Sequence, residues 1–243
     1  MSRGDDTTID ERLATVAATL TAELEGVFAS LNVVGSAFLA LCRDAADCQR
    51  DFGPDELSAL RPLIFEQLRQ RPFIDGIGVL VAADLLANMP RHVEWWRQDR
   101  DNVVPLWLDF DPTSADLYDY LTMEWFVRAQ RDRVRTVYGP RVDAGGAEHY
   151  VVTMATPVVA DEFLGVVGAD VSMALFEEAF VPLLYDLDED VLVANVERRV
   201  VMSNSSRVTV GDRLARVPVA GDGTFARVMA IGADSGWLLA QMD

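Results

Sequence analysis

The sequence predicts a mixed α+β fold: a long N-terminal helix packed on an antiparallel sheet module, followed by a smaller, abbreviated second α/β module. Three observations predict it. Residues 1–52 repeat apolar side chains in steps of three and four. Residues 53–185 switch to apolar strands separated by short helices. Residues 186–243 return to short strands after the acidic cluster Asp186–Asp190. With 243 residues, half of them apolar, the chain has enough material for a sizeable core.

The helical repeat runs through Ile9, Leu13, Val16, Leu20, Leu24, Val27, Leu31, Val34, Phe38 and Leu41. Thr8 and Glu11 have capping-box spacing and are read as its start. Such a stripe packs on a sheet or on a second copy of itself, so a homodimer through this helix is expected. The longest uncharged run, Gly26 to Cys42, is shorter than the ~20 residues that span a bilayer, which marks a buried helix. Gly53-Pro54-Asp55-Glu56 opens a second helix, with Pro in the first turn and acids at the positive end, and Pro72 closes it after about Gln70.

Strands are then expected over Ile77–Val81, Val104–Leu108, Arg135–Val142, His149–Val159 and Phe163–Val171. Helices are expected over Ser114–Ala129 and Ala174–Leu184. In the tail, Val191–Val196 and Arg199–Ser203 read as a hairpin around Glu197-Arg198, with a further strand at Trp237–Gln241.

Charge and composition exclude several functions. Asp and Glu total 39 against 21 basic residues, a net charge of −18. A surface of that sign repels nucleic acid and anionic membranes and attracts small cations. All the basic residues are Arg, which removes P-loop, Schiff-base and general-base lysines. The two cysteines, Cys42 and Cys48, have neither disulfide-scaffold nor zinc spacing, and free thiols in a reducing cytoplasm are expected. The two histidines, His92 and His149, lie far apart and suggest no metal site. No nucleophile elbow or phosphate loop is present, and residues 1–12 lack the pattern of a secretory signal. No cofactor, no metal and no catalytic residue is expected.

What remains is a set of binding candidates. Asp170 ends the apolar run Phe163–Val171 on the face of Leu164, Val166 and Gly168. A carboxylate there needs a partner, either in a polar pocket that Gly168 leaves open or by capping the helix that follows. Asp143 stands among turn residues, after Gly139-Pro140-Arg141-Val142 and before Gly145-Gly146. Tyr118, Trp125 and Phe126 share one face of the helix expected there, as core or as an aromatic wall. Of Trp95 and Trp96, alternation allows only one to face a site. Carboxylates beside aromatic rings make a receptor for an ammonium group.

These residues together resemble the ligand-binding module of double Cache domains, the PAS-like sensors of bacterial chemoreceptors and sensor kinases. The resemblance runs from about Asp75 to Phe180 and is strongest over His149–Val171, with Pro157-Val158 and the strand Gly165-Val166-Val167-Gly168-Ala169-Asp170. Val200-Val201-Met202-Ser203-Asn204 and Gly236-Trp237-Leu238-Leu239 resemble a shortened second module. The resemblance to the amino-acid-binding branch implies that Tyr118, Trp125 and Phe126 line the ligand and that Asp143 and Asp170 hold its amino group. Met123 takes the place of the arginine that grips a carboxylate in that branch, and Arg141 takes the place of a tyrosine. Met cannot bind a carboxylate bidentately. The implied ligand is therefore a small amine without a carboxylate: a monoamine, a diamine or a quaternary ammonium compound. If Arg141 turns inward, the ligand is again an amino acid. A structural dimerisation module with a filled pocket is the remaining alternative. The resemblance implies a sensor rather than an enzyme, signalling through a separate output protein or its own dimer, and the cytoplasm is the expected compartment.

Overall fold

The computed structural model describes residues 3–47, 52–83, 85–86, 89–142 and 150–243. The chain is an α+β protein with two antiparallel sheets and a long first helix, α1 (Arg3–Asp47). It divides into two compact units, one of residues 27–172 and one of residues 1–26 with 173–243.

Helix α1 begins earlier than its capping-box spacing suggests. Thr8 and Glu11 lie inside the helix, not at its start. The predicted stripe is buried from Ile9 to Phe38, and Leu41 is half-buried. By length and composition Thr8–Ala46 would also serve as a membrane span, but its apolar seam is buried within the chain. That use of the seam leaves only the exposed side of α1, where Val33 lies, for a second copy.

In the larger unit the sheet order is β3-β2-β1-β6-β5-β4, built from β1 (Ile74–Val81), β2 (Val93–Asp99), β3 (Asn102–Pro105), β4 (Thr136–Val142), β5 (Tyr150–Val159) and β6 (Phe163–Ser172). One face carries the second half of α1, where Gly35 approaches Val158 and Val167. The same face packs on α3 (Arg61–Gln70), which follows the short α2 (Pro54–Leu57) and a 3-10 turn. Here Trp96 meets Phe65 edge-on at 4.8 Å and the half-exposed Arg61 bonds the buried Glu94 at 2.8 Å.

The other face carries α4 (Glu124–Asp132) and the segment 106–123. The helix expected over Ser114–Ala129 is only its last third. Asp109 and Asp111 accept the N–H groups of Asp111 and Thr113, and Ser114 Oγ accepts that of Asp116. Side chains that capture local backbone donors compete with a helix. Met123, extended at φ −69° and ψ 137°, then caps α4. The strand expected at Val104–Leu108 sits earlier, ending at Pro105. The unforeseen β2 supplies the central pairings Gly78↔Trp95 and Gly76↔Arg97.

The smaller unit holds residues 3–26 of α1, α5 (Met173–Tyr185) and a sheet ordered β8-β7-β10-β9. Its strands are β7 (Val191–Asn195), β8 (Val200–Ser203), β9 (Phe225–Ile231) and β10 (Trp237–Met242). The β7–β8 hairpin turns at Glu197-Arg198, where Arg198 takes φ 72°. Thr21 accepts the Gly232 N–H, and Arg227 bonds Asp10, tying α1 to β9. Strand β9 was not foreseen.

Candidate functional site

The site lies on the α4 face of the larger sheet. Alternation along β6 puts Val166, Gly168 and Asp170 on this face. Thr153 stands directly opposite Asp170 on β5, and its hydroxyl donates to Asp170 Oδ1 at 2.6 Å. The same hydroxyl accepts from Arg141 Nη2 at 3.1 Å, so one threonine joins a carboxylate to a guanidinium. The Arg141 guanidinium also lies 5.8 Å from the centre of the Tyr138 ring.

Trp95 covers the sheet beside this pair. Its indole lies over two glycines: a Cβ at Gly76 would meet Nε1 at 2.5 Å, and one at Gly168 would meet Cζ3 at 3.2 Å. The glycines are what let so large a ring lie flat against the strands. Leu80 and Val93 complete the sheet side, and Leu106, Leu108, Tyr118 and Trp125 form the opposite wall. The enclosed free space is about 10 Å³, room for one water molecule, so a larger ligand must displace that wall.

Segment 106–123 is well placed to be displaced. It has no regular structure before the 3-10 turn Tyr120–Thr122, and Trp107 is 87% exposed. Firm anchors flank its far end. The buried Tyr120 hydroxyl donates to the Val81 carbonyl at 2.7 Å and accepts the His92 N–H at 3.1 Å, and Arg91 pairs with Asp119 at 2.9 Å.

The candidates read from the sequence are distributed unevenly. Asp170, Arg141, Tyr118 and Trp125 line one pocket. Tyr118 does so from coil rather than from a shared helix face. Phe126 is buried among Tyr120, Trp125 and Phe163 and belongs to the aromatic core instead. Met123 packs against that core and does not reach the cavity lining. Asp143 lies outside the described residues, as do His149 and Cys48. Cys42 is a free thiol whose pKa burial raises to about 11. Asp170 accepts the Thr153 hydroxyl.

Among the polar and aromatic lining residues, Thr153 was missed and Trp95 was left undecided against Trp96. Thr153 was legible as the cross-strand neighbour of Asp170 once β5 and β6 were paired. Trp95 was legible from Gly76, Gly78 and Gly168, small residues clustered where a large one must lie. Trp125 adds a polar feature: its indole N–H is buried with no acceptor among the described residues. A buried donor of that kind is costly unless something fills the pocket and accepts from it.

An antiparallel PAS-like sheet entered by a long helix and followed by a smaller module is the fold of Cache sensor domains, and the chain has that fold. Among solved structures it is similar to a protein described as methyl-accepting chemotaxis protein X, at 15% identity and TM-score 0.63, covering 100% of this chain and 99% of that one. It is similar to the ligand-binding domain of the Pseudomonas aeruginosa amino acid chemoreceptor PctB in complex with L-Arg, at 16% identity and TM-score 0.61, covering 98% and 94%. It is also similar to the extracellular domain of the putative histidine kinase mmHK1S-Z3, at 13% identity and TM-score 0.62, covering 83% and 71%. No family model and no curated protein matches the chain.

Proposed function

We propose that this protein is a non-enzymatic sensor domain whose larger module binds a small ligand bearing an ammonium group. The observation that carries the reading is the Arg141–Thr153–Asp170 chain of hydrogen bonds inside an aromatic-walled pocket. A carboxylate and a guanidinium brought together in one pocket complement a zwitterion. An amino acid fits best, with its ammonium at Asp170 and its carboxylate at Arg141 and the Trp125 N–H. Ligand-binding domains of the same fold occur in complex with L-Arg, GABA and L-serine, which supports the choice of ligand class.

A carboxylate-free amine is the second reading. Met123 favours it, because the position just before α4, which the resemblance to amino-acid-binding Cache domains gives to a carboxylate-gripping arginine, is apolar here. Thermal melts separate the two. A ligand that binds only the folded state raises the melting temperature by mass action. Amino acids at millimolar concentration are expected to raise it, and Asp170→Ala to abolish the rise without loss of the fold. Stabilisation by amines alone selects the second reading, and no stabilisation by either class defeats both.

Signalling is proposed to pass through a separate output protein or a homodimer on the exposed side of α1, checked by light scattering with and without ligand. A cytoplasmic location is likewise a proposal. Two of the similar structures are described as extracellular domains, so cell fractionation is the deciding measurement.

A further inference from the structure

We infer that Arg97 is a specificity residue and that the preferred ligand is an acidic amino acid, a reading that rests on the amino-acid site proposed above. Strand register carries the inference. Arg97 on β2 pairs with Gly76 on β1, Gly76 pairs with Asp170 on β6, and Asp170 pairs with Thr153 on β5. Directly paired residues of antiparallel strands project to the same face, so Arg97, Asp170 and Thr153 stand in one row on the pocket side. Arg97 is two strands from Asp170, about 10 Å at the usual strand spacing. The position between them is Gly76, over which the Trp95 indole lies, so no β1 side chain separates them.

The state of Arg97 is the second observation. Its Nε is buried with no acceptor among the described residues. Removing a guanidinium nitrogen from water without an acceptor is costly, and a ligand acceptor would recover the loss. Trp95 Nε1 lies over Gly76 on the same path. Around Asp170 the N–H donors therefore fall in two groups, Arg141 and Trp125 in one and Trp95 and Arg97 in the other. Among the described residues, Asp170 is the one carboxylate in the cavity lining. An α-amino acid held by Asp170 and Arg141 satisfies the first group. A side-chain carboxylate directed past the Trp95 indole edge toward Arg97 satisfies the second. The overall charge of −18 opposes an anionic ligand, but that field is screened within about 10 Å at ordinary salt, whereas the donors act at contact.

Titration calorimetry on the whole chain tests this with L-glutamate, L-aspartate, L-glutamine and L-alanine, using wild type, Arg97→Met and Arg97→Lys. Wild type is expected to prefer the acidic amino acids. Arg97→Met should weaken them roughly tenfold to a hundredfold, the range for a lost hydrogen bond to a charged group, and leave L-alanine within about threefold. Arg97→Lys, which keeps the charge, should fall between and shows that a loss in the Met variant is not misfolding. Unchanged acidic affinity in Arg97→Met, or equal losses for L-alanine and L-glutamate in a folded variant, overturns the role of Arg97 while leaving the amino-acid site standing. Failure of all four amino acids to bind wild type overturns both.

Discussion

Thr153 and Asp170 face each other across the β5–β6 pair, and the threonine hydroxyl donates to the carboxylate at 2.6 Å while accepting from Arg141 at 3.1 Å. The hydroxyl thus fixes the separation of the two charged groups of the proposed site. Holding both in place before binding removes ordering cost from the binding step.

Thr153→Val keeps the shape and deletes the bridge. Hydrogen bonds to charged groups contribute about 1.5–3 kcal/mol. The variant is expected to lose stability at the low end of that range, since both partners keep some solvent, and to bind ligand several-fold more weakly. Urea unfolding and calorimetry measure the two effects. Wild-type values in both would show that the hydroxyl holds nothing.

Two glycines on the pocket face separate packing from binding. A Cβ at Gly78 would stand 2.2 Å from the Glu94 carbonyl oxygen and 2.6 Å from the Trp95 Cα, which are backbone and cannot turn aside. Gly78→Ala must force β1 from β2 and is expected to cost at least the roughly 1–3 kcal/mol of an overpacked core. At Gly168 the neighbour is the Trp95 ring, 3.2 Å away. Gly168→Ala is expected to lift the ring into the pocket, costing little stability but most of the ligand affinity. Melts that rank the two variants in the opposite order would refute the placement of Trp95.

Periodicity and alternation made α1, β1, β4, β5, β6, α5 and the β7–β8 hairpin legible, because each buries one regular face. Segment 106–123 was not, since Tyr118 falls at helical spacing from Trp125 and Phe126 while Asp109, Asp111 and Ser114 bind the backbone into turns. Strand β2 was obscured by its own sequence. Val93-Glu94-Trp95-Trp96-Arg97 has polar residues on both faces, and its strand character comes from pairing with Gly76 and Gly78. Asp170 was legible because a carboxylate is out of place in that run. Arg141 stayed ambiguous because only its strand pairing turns it toward Thr153.

Tyr120 fixes one end of the 106–123 wall. Tyr120→Phe removes the hydroxyl that bonds the Val81 carbonyl and the His92 N–H. Leaving buried polar groups unpaired costs about 1–3 kcal/mol. The expected result is a lower melting temperature with faster amide exchange at Val81 and across 106–123. Exchange rates equal to wild type would mean that Arg91–Asp119 alone holds this end.

Stability below neutral pH depends on His92. Burial lowers its pKa from 6.5, with Glu94 opposing and Arg61 reinforcing the shift, and its Nε2 is buried with no partner among the described residues. The folded state therefore keeps the ring neutral where the unfolded chain has already taken up a proton. In that window the unfolded state binds more protons, so stability rises with pH. The contribution is complete above about pH 6.5 and is lost as pH falls from there through the lower folded value. Asp109, Asp111 and Asp222, whose pKa values local hydrogen bonds lower from 3.8, act with the same sign but only at more acidic pH. Urea midpoints from pH 5 to 8 are expected to fall on acidification in wild type, and more shallowly in His92→Gln. The difference between the two curves isolates His92, because His149 and every carboxylate are common to both proteins. Parallel curves would mean that His92 takes up its proton in the fold as it does in the unfolded chain, with Glu94 cancelling the effect of burial.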